Sequence, residues 1–226
     1  MVIWLVLALI AAFFEVIARQ QQNPKWELFA KPAAIVFLLI WLYASTGFQG
    51  NTFWFGLGLL FSLIGDVVLI SPTDRMFVLG LVSFLLTHIF YLIGFRNELL
   101  SFTAWSFILF FFIYLNGLRI LRRILAAMRV KGFRGMSAPV IVYGLMISLM
   151  LYAAFSTIFD PMWTTRAAFL VSLGASLFYL SDLILAWNKF VTPIQNGRIF
   201  NIITYYLGQI GLIAGVISQF FAAHSR

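Results

Sequence analysis

Phe107-Ile108-Leu109-Phe110-Phe111-Phe112-Ile113 is seven apolar residues in succession. A strand of a membrane-spanning β-barrel alternates lipid-facing apolar residues with lumen-facing polar ones, so this run does not fit one. Lipid offers no partner to backbone N–H and C=O groups, and an unbroken apolar stretch satisfies its own as a helix. The run lies inside 99–118, which carries no Asp, Glu, Lys or Arg, and the stretches 32–65, 76–95, 135–159 and 199–223 are equally free of them. Each reaches or exceeds the roughly 20 residues that cross a bilayer as a helix.

Composition points the same way: 63% of the 226 residues are hydrophobic and only 10% charged, and the mean hydropathy is +1.01, unlike a soluble globular domain. The sequence therefore predicts an all-α, polytopic integral membrane protein, one domain over 1–226. No cysteine is present, which removes disulfides, thiol nucleophiles and Cys-ligated metal sites. With His88 and the tail residue His224 as the only histidines, no metal centre and no cofactor are expected. Met1 to Ala18 lacks a basic leader and a small-x-small cleavage site and carries Glu15, so it reads as a retained first helix.

Turn signals divide the chain into a bundle of eight transmembrane helices, about 2–18, 31–47, 52–70, 75–95, 100–119, 138–157, 163–187 and 198–222. Pro32 and Pro139 fall in first turns, where the missing N–H has no helical partner anyway. Arg119, Arg122, Arg123, Arg129, Lys131 and Arg134 read as a basic loop after the fifth helix. Together with Arg19, Lys25, Lys31, Arg75, Lys189 and Arg198 they put twelve of fifteen basic residues on one face, against Arg96, Arg166 and Arg226 on the other. The positive-inside rule makes the first face cytoplasmic and places both termini on the non-cytoplasmic side. The net charge of +8 is then a topology signal aided by anionic headgroups, and no nucleic-acid partner is expected.

Against this apolar background two carboxylates stand out, Asp66 in Ser62-Leu63-Ile64-Gly65-Asp66 and Asp182 in Leu180-Ser181-Asp182. An ionised side chain inside a membrane is costly unless paired, hydrated or used, and two such costs suggest one site. Both lie four or five residues from the cytoplasmic end of parallel helices, about 7 Å deep, with Lys31 entering from the same face. Residues three and four apart share a helix face, which adds Ser62 to Asp66, and Tyr179 with the adjacent Ser181 to Asp182. The fourth helix offers Thr87, His88 and Tyr91, and the eighth Tyr205, Tyr206 and Gln209.

Plainer roles compete for several of these residues. Tyr43, Trp54, Trp105 and Trp163 suit an interfacial belt, and Ser62 and Ser181 can bond their own backbone. His88 can be a packing hydrogen bond, Lys31 a structural ion-pair partner of either aspartate, and Gly144 and Gly174 points of close helix approach.

In order, Ser62-x-x-Gly65-Asp66, Phe77-x-x-Gly80-Leu81-x-x-Phe84-x-x-x-His88-x-x-Tyr91, Gly174-x-x-x-Phe178-x-Leu180-Ser181-Asp182 and Tyr206-x-x-Gln209 resemble the YhhN-like membrane family of lysoplasmalogenases. Lys31-Pro32 and Pro139-Val140-x-x-Tyr143 look like further family features. The resemblance implies hydrolysis of the vinyl ether bond of a lysoplasmalogen to a fatty aldehyde and glycerophosphocholine or glycerophosphoethanolamine. It further implies Asp66 and Asp182 as the catalytic pair, a lysophospholipid and membrane lipids as partners, and a multi-pass location in the inner (plasma) membrane of a bacterium.

The residues suit that chemistry. Vinyl ether hydrolysis places a proton on carbon and generates an oxocarbenium ion that water captures, needs that a protonated and an ionised carboxyl meet in glycosidases. Asp182 is expected to be the proton donor and Asp66 the carboxylate that stabilises the cation and orients water. Lys31, Ser62, His88, Tyr91, Tyr179, Ser181, Tyr205, Tyr206 and Gln209 are expected to support them or bind substrate. Intramembrane carboxylates also serve proton-coupled transporters, yet no clear inverted repeat or paired broken helices of that kind are visible. A lipid-binding membrane protein is the third reading.

Overall fold

The computed structural model describes residues 2–21, 24–71, 73–95 and 104–224. The described residues form α1 (Val2–Gln20), α2 (Pro24–Thr46), α3 (Thr52–Val68), α4 (Asp74–Phe95), α5 (Ala104–Val130), α6 (Ser137–Ser156), α7 (Thr165–Ala186) and α8 (Gly197–His224), with no strand among them. Short 3₁₀ turns flank α6, and a π-helical turn, Trp187–Val191, extends α7. Among the described residues, six stretches are long and apolar enough to cross a membrane: Val2–Gln20, Leu28–Thr46, Asp74–Phe95, Arg134–Phe159, Thr165–Val191 and Gly197–His224. The chain is thus a polytopic helical membrane protein. Arg96, Arg226 and the expected start of the fifth helix at 100–103 lie outside the described residues.

Two expected boundaries move. α2 begins at Pro24, where a proline is as well tolerated as it would have been at 32. Lys31 and Pro32 consequently lie inside the helix. The basic segment expected as a loop is helical as far as Val130. Arginine, leucine and alanine are strong helix formers, and nothing breaks the backbone before Gly132, which turns at φ +84°.

α7 packs most extensively on α8, α3 pairs with α4 and α1 with α2, while α8 also touches α1, α2 and α3. Small residues bring α7 and α8 together. A Cβ on Gly174 would overlap the α8 backbone, and one on Gly208 would lie 2.7 Å from the amide nitrogen of Phe178. Gly208→Leu is therefore expected to cost more than the about 1–3 kcal/mol of ordinary overpacking, because backbone cannot rotate away as a side chain does. Thermal unfolding in detergent and the monodisperse fraction on gel filtration measure that loss. At the periphery, Phe107, Phe111 and Phe112 of α5 are exposed, as lipid-facing residues are.

Candidate active site

Glycines in α3 set the geometry around Asp66. A Cβ on Gly58 would overlap the ring of Tyr91, and one on Gly65 would lie 2.7 Å from Phe84. Their absence lets α4 bring Tyr91 and Phe84 against α3, and Thr87 hydroxyl donates to the Gly58 carbonyl at 3.1 Å. On the other side α8 presents Tyr205 and Gln209, one turn apart and both buried.

These residues form one ordered chain of hydrogen bonds. Tyr91 hydroxyl donates to Gln209 Oε1 at 2.7 Å, and Gln209 Nε2 donates to Ser62 Oγ at 2.8 Å. Ser62 Oγ lies 2.6 Å from Tyr205 Oη, which donates to Asp66 Oδ2 at 2.7 Å. Since the Tyr205 proton goes to Asp66, the serine is the donor in the bond between them. Every donor then points toward Asp66. Its other oxygen, Oδ1, lies 3.4 Å from Lys31 Nζ. Both carboxylate oxygens of Asp66 are thus engaged, and its side chain is only 2% exposed.

Asp182 stands in a second network. Tyr143 hydroxyl on α6 donates to its Oδ2 at 2.5 Å, while His88 Nε2 lies 3.0 Å from Tyr143 Oη and 3.3 Å from Asp182 Oδ2. With the tyrosine proton committed to the carboxyl, Nε2 can act here only as the protonated donor nitrogen. Nδ1 is buried without a partner among the described residues. Asp182 Oδ1 makes no hydrogen bond with them, and the side chain is 12% exposed.

That exposure faces two cavities. One runs between α5, α6 and α7 and is lined by apolar residues with Tyr114, Tyr143, Ser148, Tyr179 and Asp182 as its polar points. The other is walled by Leu69, Phe77, Leu81, Phe84, Leu185 and Phe190, and shares Val140, Tyr143, Asp182 and Ala186 with the first. Among the described residues, Asp182 is the only carboxylate in either wall. An ion pair of Lys189 Nζ with Asp74 at 2.8 Å ties the π-helical turn to the start of α4 beside the second cavity.

Aromatic rings separate the networks. Phe178 lies 4.9 Å from His88 and 5.4 Å from Tyr205, and Phe84 lies 5.9 Å from Tyr205. No hydrogen bond joins the two carboxylates among the described residues. Neither cavity reaches Asp66.

The expected residues divide accordingly. Lys31, Ser62, Tyr91, Tyr205 and Gln209 gather on Asp66, whereas His88 joins Asp182 and Tyr179 lines the same cavity. Ser181 turns away to α8, donating to the Asn201 carbonyl at 3.1 Å, and Tyr206 donates to Glu15 of α1. Tyr143 and Glu15 were absent from the expected set. Glu15 is 1% exposed within a long apolar helix, the signal that singled out the two aspartates. Gly174 serves close helix approach, but Gly144 does not, because a Cβ there would meet only Leu121 Cδ1, at 3.7 Å.

Residues 26–216 match the model of the YhhN family. Mouse lysoplasmalogenase TMEM86B is 29% identical over 207 residues, covering 86% of this chain and 77% of its own length. Human lysoplasmalogenase TMEM86A is 34% identical over 168 residues, covering 68% and 60%, and human lysoplasmalogenase TMEM86B is 29% identical over 171 residues, covering 76% and 66%. No solved structure matches the chain. Glu15 and the rest of α1 precede the matched region.

Proposed function

The chain belongs to the YhhN family, and from that membership we propose that it is a lysoplasmalogenase, as its curated relatives are named. It is an integral-membrane hydrolase that cuts the vinyl ether of a lysoplasmalogen to a fatty aldehyde and a glycerophospho alcohol. The observation that carries the reading is Asp182, whose Oδ2 is held by Tyr143 while Oδ1 is left unbonded among the described residues, in a carboxyl that walls an apolar groove. An apolar groove headed by a carboxyl suits a lipid whose reactive group joins its chain to its glycerol.

In this mechanism Asp182 begins protonated on Oδ1 and delivers that proton to the vinyl carbon remote from the ether oxygen. The C=C electron pair forms the new C–H bond, and the ether oxygen stabilises the resulting oxocarbenium ion. Tyr143 and the Nε2–H of His88 stabilise the carboxylate left behind. Water adds to the cationic carbon and returns a proton to Asp182, giving a hemiacetal. The hemiacetal collapses as its hydroxyl proton passes to the departing glycerol oxygen. One water is consumed, and Asp182 ends as it began. Asp66 assists from across the aromatic partition as a fixed negative charge, strongest in effect where water is excluded.

The eight helices are proposed to be eight spans, with both termini outside and the Asp182 end of the groove toward the cytoplasmic face of a bacterial plasma membrane. Twelve of fifteen basic residues on one side support that orientation. At 17 residues α3 measures about 25 Å, short of a full hydrocarbon core, and spans it with its flanking turns.

Purified protein incubated in detergent with a vinyl-ether lysolipid and its ester and saturated-ether analogues tests the activity by mass spectrometry. Aldehyde is expected from the vinyl ether alone. In D₂O the aldehyde should carry a single new deuterium on the carbon next to the carbonyl, the mark of protonation at carbon. Intact lipids throughout would overturn the proposal.

A further inference from the structure

Glycine is, after proline, the poorest residue for a helix interior, so each helical glycine in the bundle calls for a reason. Gly174, Gly208 and Gly211 have one in the facing backbone, and Gly58, Gly65 and Gly94 in a facing aromatic ring. Gly144 has neither, and Gly117 faces only two side-chain hydroxyls, the nearer of them a tight contact. A Cβ on Gly144 would meet only Leu121 Cδ1, at 3.7 Å, and one on Gly117 would meet Ser148 Oγ at 3.3 Å and Tyr179 Oη at 3.5 Å. Both glycines sit in helix interiors at ordinary negative φ, so no turn requires them. What they share is the cavity between α5, α6 and α7, whose wall includes both.

Their places along that cavity differ. Gly144 follows Tyr143, whose hydroxyl holds Asp182. Gly117 lies four residues from Leu121, the neighbour of Gly144, or about 6 Å along the helix. There it opposes Ser148 and Tyr179. The cavity continues to Tyr114, so the passage runs about 10 Å from the level of Leu121.

We infer that Gly117 and Gly144 are specificity-determining residues, whose missing side chains open a channel for one unbranched alkyl chain leading away from Asp182. The inference rests on the proposed lysoplasmalogenase reading, in which the reacting end of that chain lies at Asp182. Gly144 sets the girth of the channel beside the reacting bond. Gly117 sets how much of a long chain passes the Ser148–Tyr179 level before leaving the protein for lipid. A substrate with a branch near the ether is excluded at the first point, and chain length is sensed at the second.

Gly117→Leu and Gly144→Leu test this, read as kcat/KM for a long-chain and a short-chain vinyl-ether lysolipid. In Gly117→Leu the long-to-short ratio is expected to fall by about tenfold or more, the scale on which hydrophobic pockets resolve chain differences. In Gly144→Leu both substrates are expected to lose together. An unchanged ratio in Gly117→Leu, with folding verified by gel filtration, would overturn the inference.

A binding measurement with non-cleavable saturated-ether lysolipids of the same two lengths separates this claim from the reaction. A shift in relative affinity without any cleavage by the wild type would sustain the channel and refute the reaction. Cleavage with no shift in either assay would do the reverse. Should Gly117→Leu not fold, Gly117→Val carries the same comparison.

Discussion

Asp182→Asn is expected to lower turnover of a vinyl-ether lysolipid by about 10²–10⁴-fold, the contribution of a positioned general acid, with little change in thermal stability. The substitution is nearly isosteric. Its carbonyl oxygen can accept the Tyr143 hydroxyl as Oδ2 does now, so the contact between α6 and α7 survives. What is lost is an acidic proton at the wall of the groove. Asparagine offers no proton of comparable acidity to carbon, and the intact oxyanion supports around it cannot replace one. Tyr143→Phe should produce a smaller loss, because it weakens stabilisation of the carboxylate without removing the acid. It also leaves His88 Nε2 with Asp182 as its remaining neighbour. Parallel rate and unfolding measurements on the two variants check the order. Turnover of Asp182→Asn within tenfold of wild type would refute the mechanism.

The apolar runs made the helical membrane class legible, because their lengths are set by the bilayer and not by tertiary detail. The end of α5 was not legible on the same basis. Arg119 to Val130 is polar enough to read as a loop, yet helix propensity depends on side-chain entropy and backbone sterics, which arginine satisfies. The site shows a comparable limit. Spacing on single helices found Ser62 with Asp66, and Tyr205 with Gln209, since neighbours on one face converge on one partner. Spacing also grouped His88 with Tyr91, which the bundle divides between α6–α7 and α8. A helix face is wide enough to serve two neighbours, and the sequence of one helix does not say which residue meets which. Tyr143 was read as a family feature and not as a site residue for a related reason: no polar residue lies three or four positions from it on its own helix, and its meaning comes from Asp182 on α7. Gly144 was misread because an absent side chain looks the same whether backbone or empty space lies opposite.

The second large effect is expected at Asp66, where role and brace can be separated. Asp66→Asn leaves the Lys31 ammonium, now 3.4 Å from the carboxylate, facing an amide that cannot neutralise it. Removing one partner of a buried ion pair costs about 3–5 kcal/mol, and with Lys31 15% exposed the lower part of that range is the expectation. Turnover is expected to fall by at least about 10²-fold, as losses of preorganised charge do. Either loss alone is ambiguous, since a sagging α2–α3 contact would also shift Tyr205 and Phe84. The double variant Lys31→Met/Asp66→Asn resolves it. A flexible apolar stem fills the space of the lysine, no charge is stranded, and the introduced amide oxygen still accepts from Tyr205. Unfolding temperature should therefore return most of the way to wild type. If the negative charge of Asp66 acts on the cation beyond Phe178, turnover stays low in the double variant. If turnover returns with stability, Asp66 is only the counter-charge of Lys31, and the reaction runs on Asp182 alone.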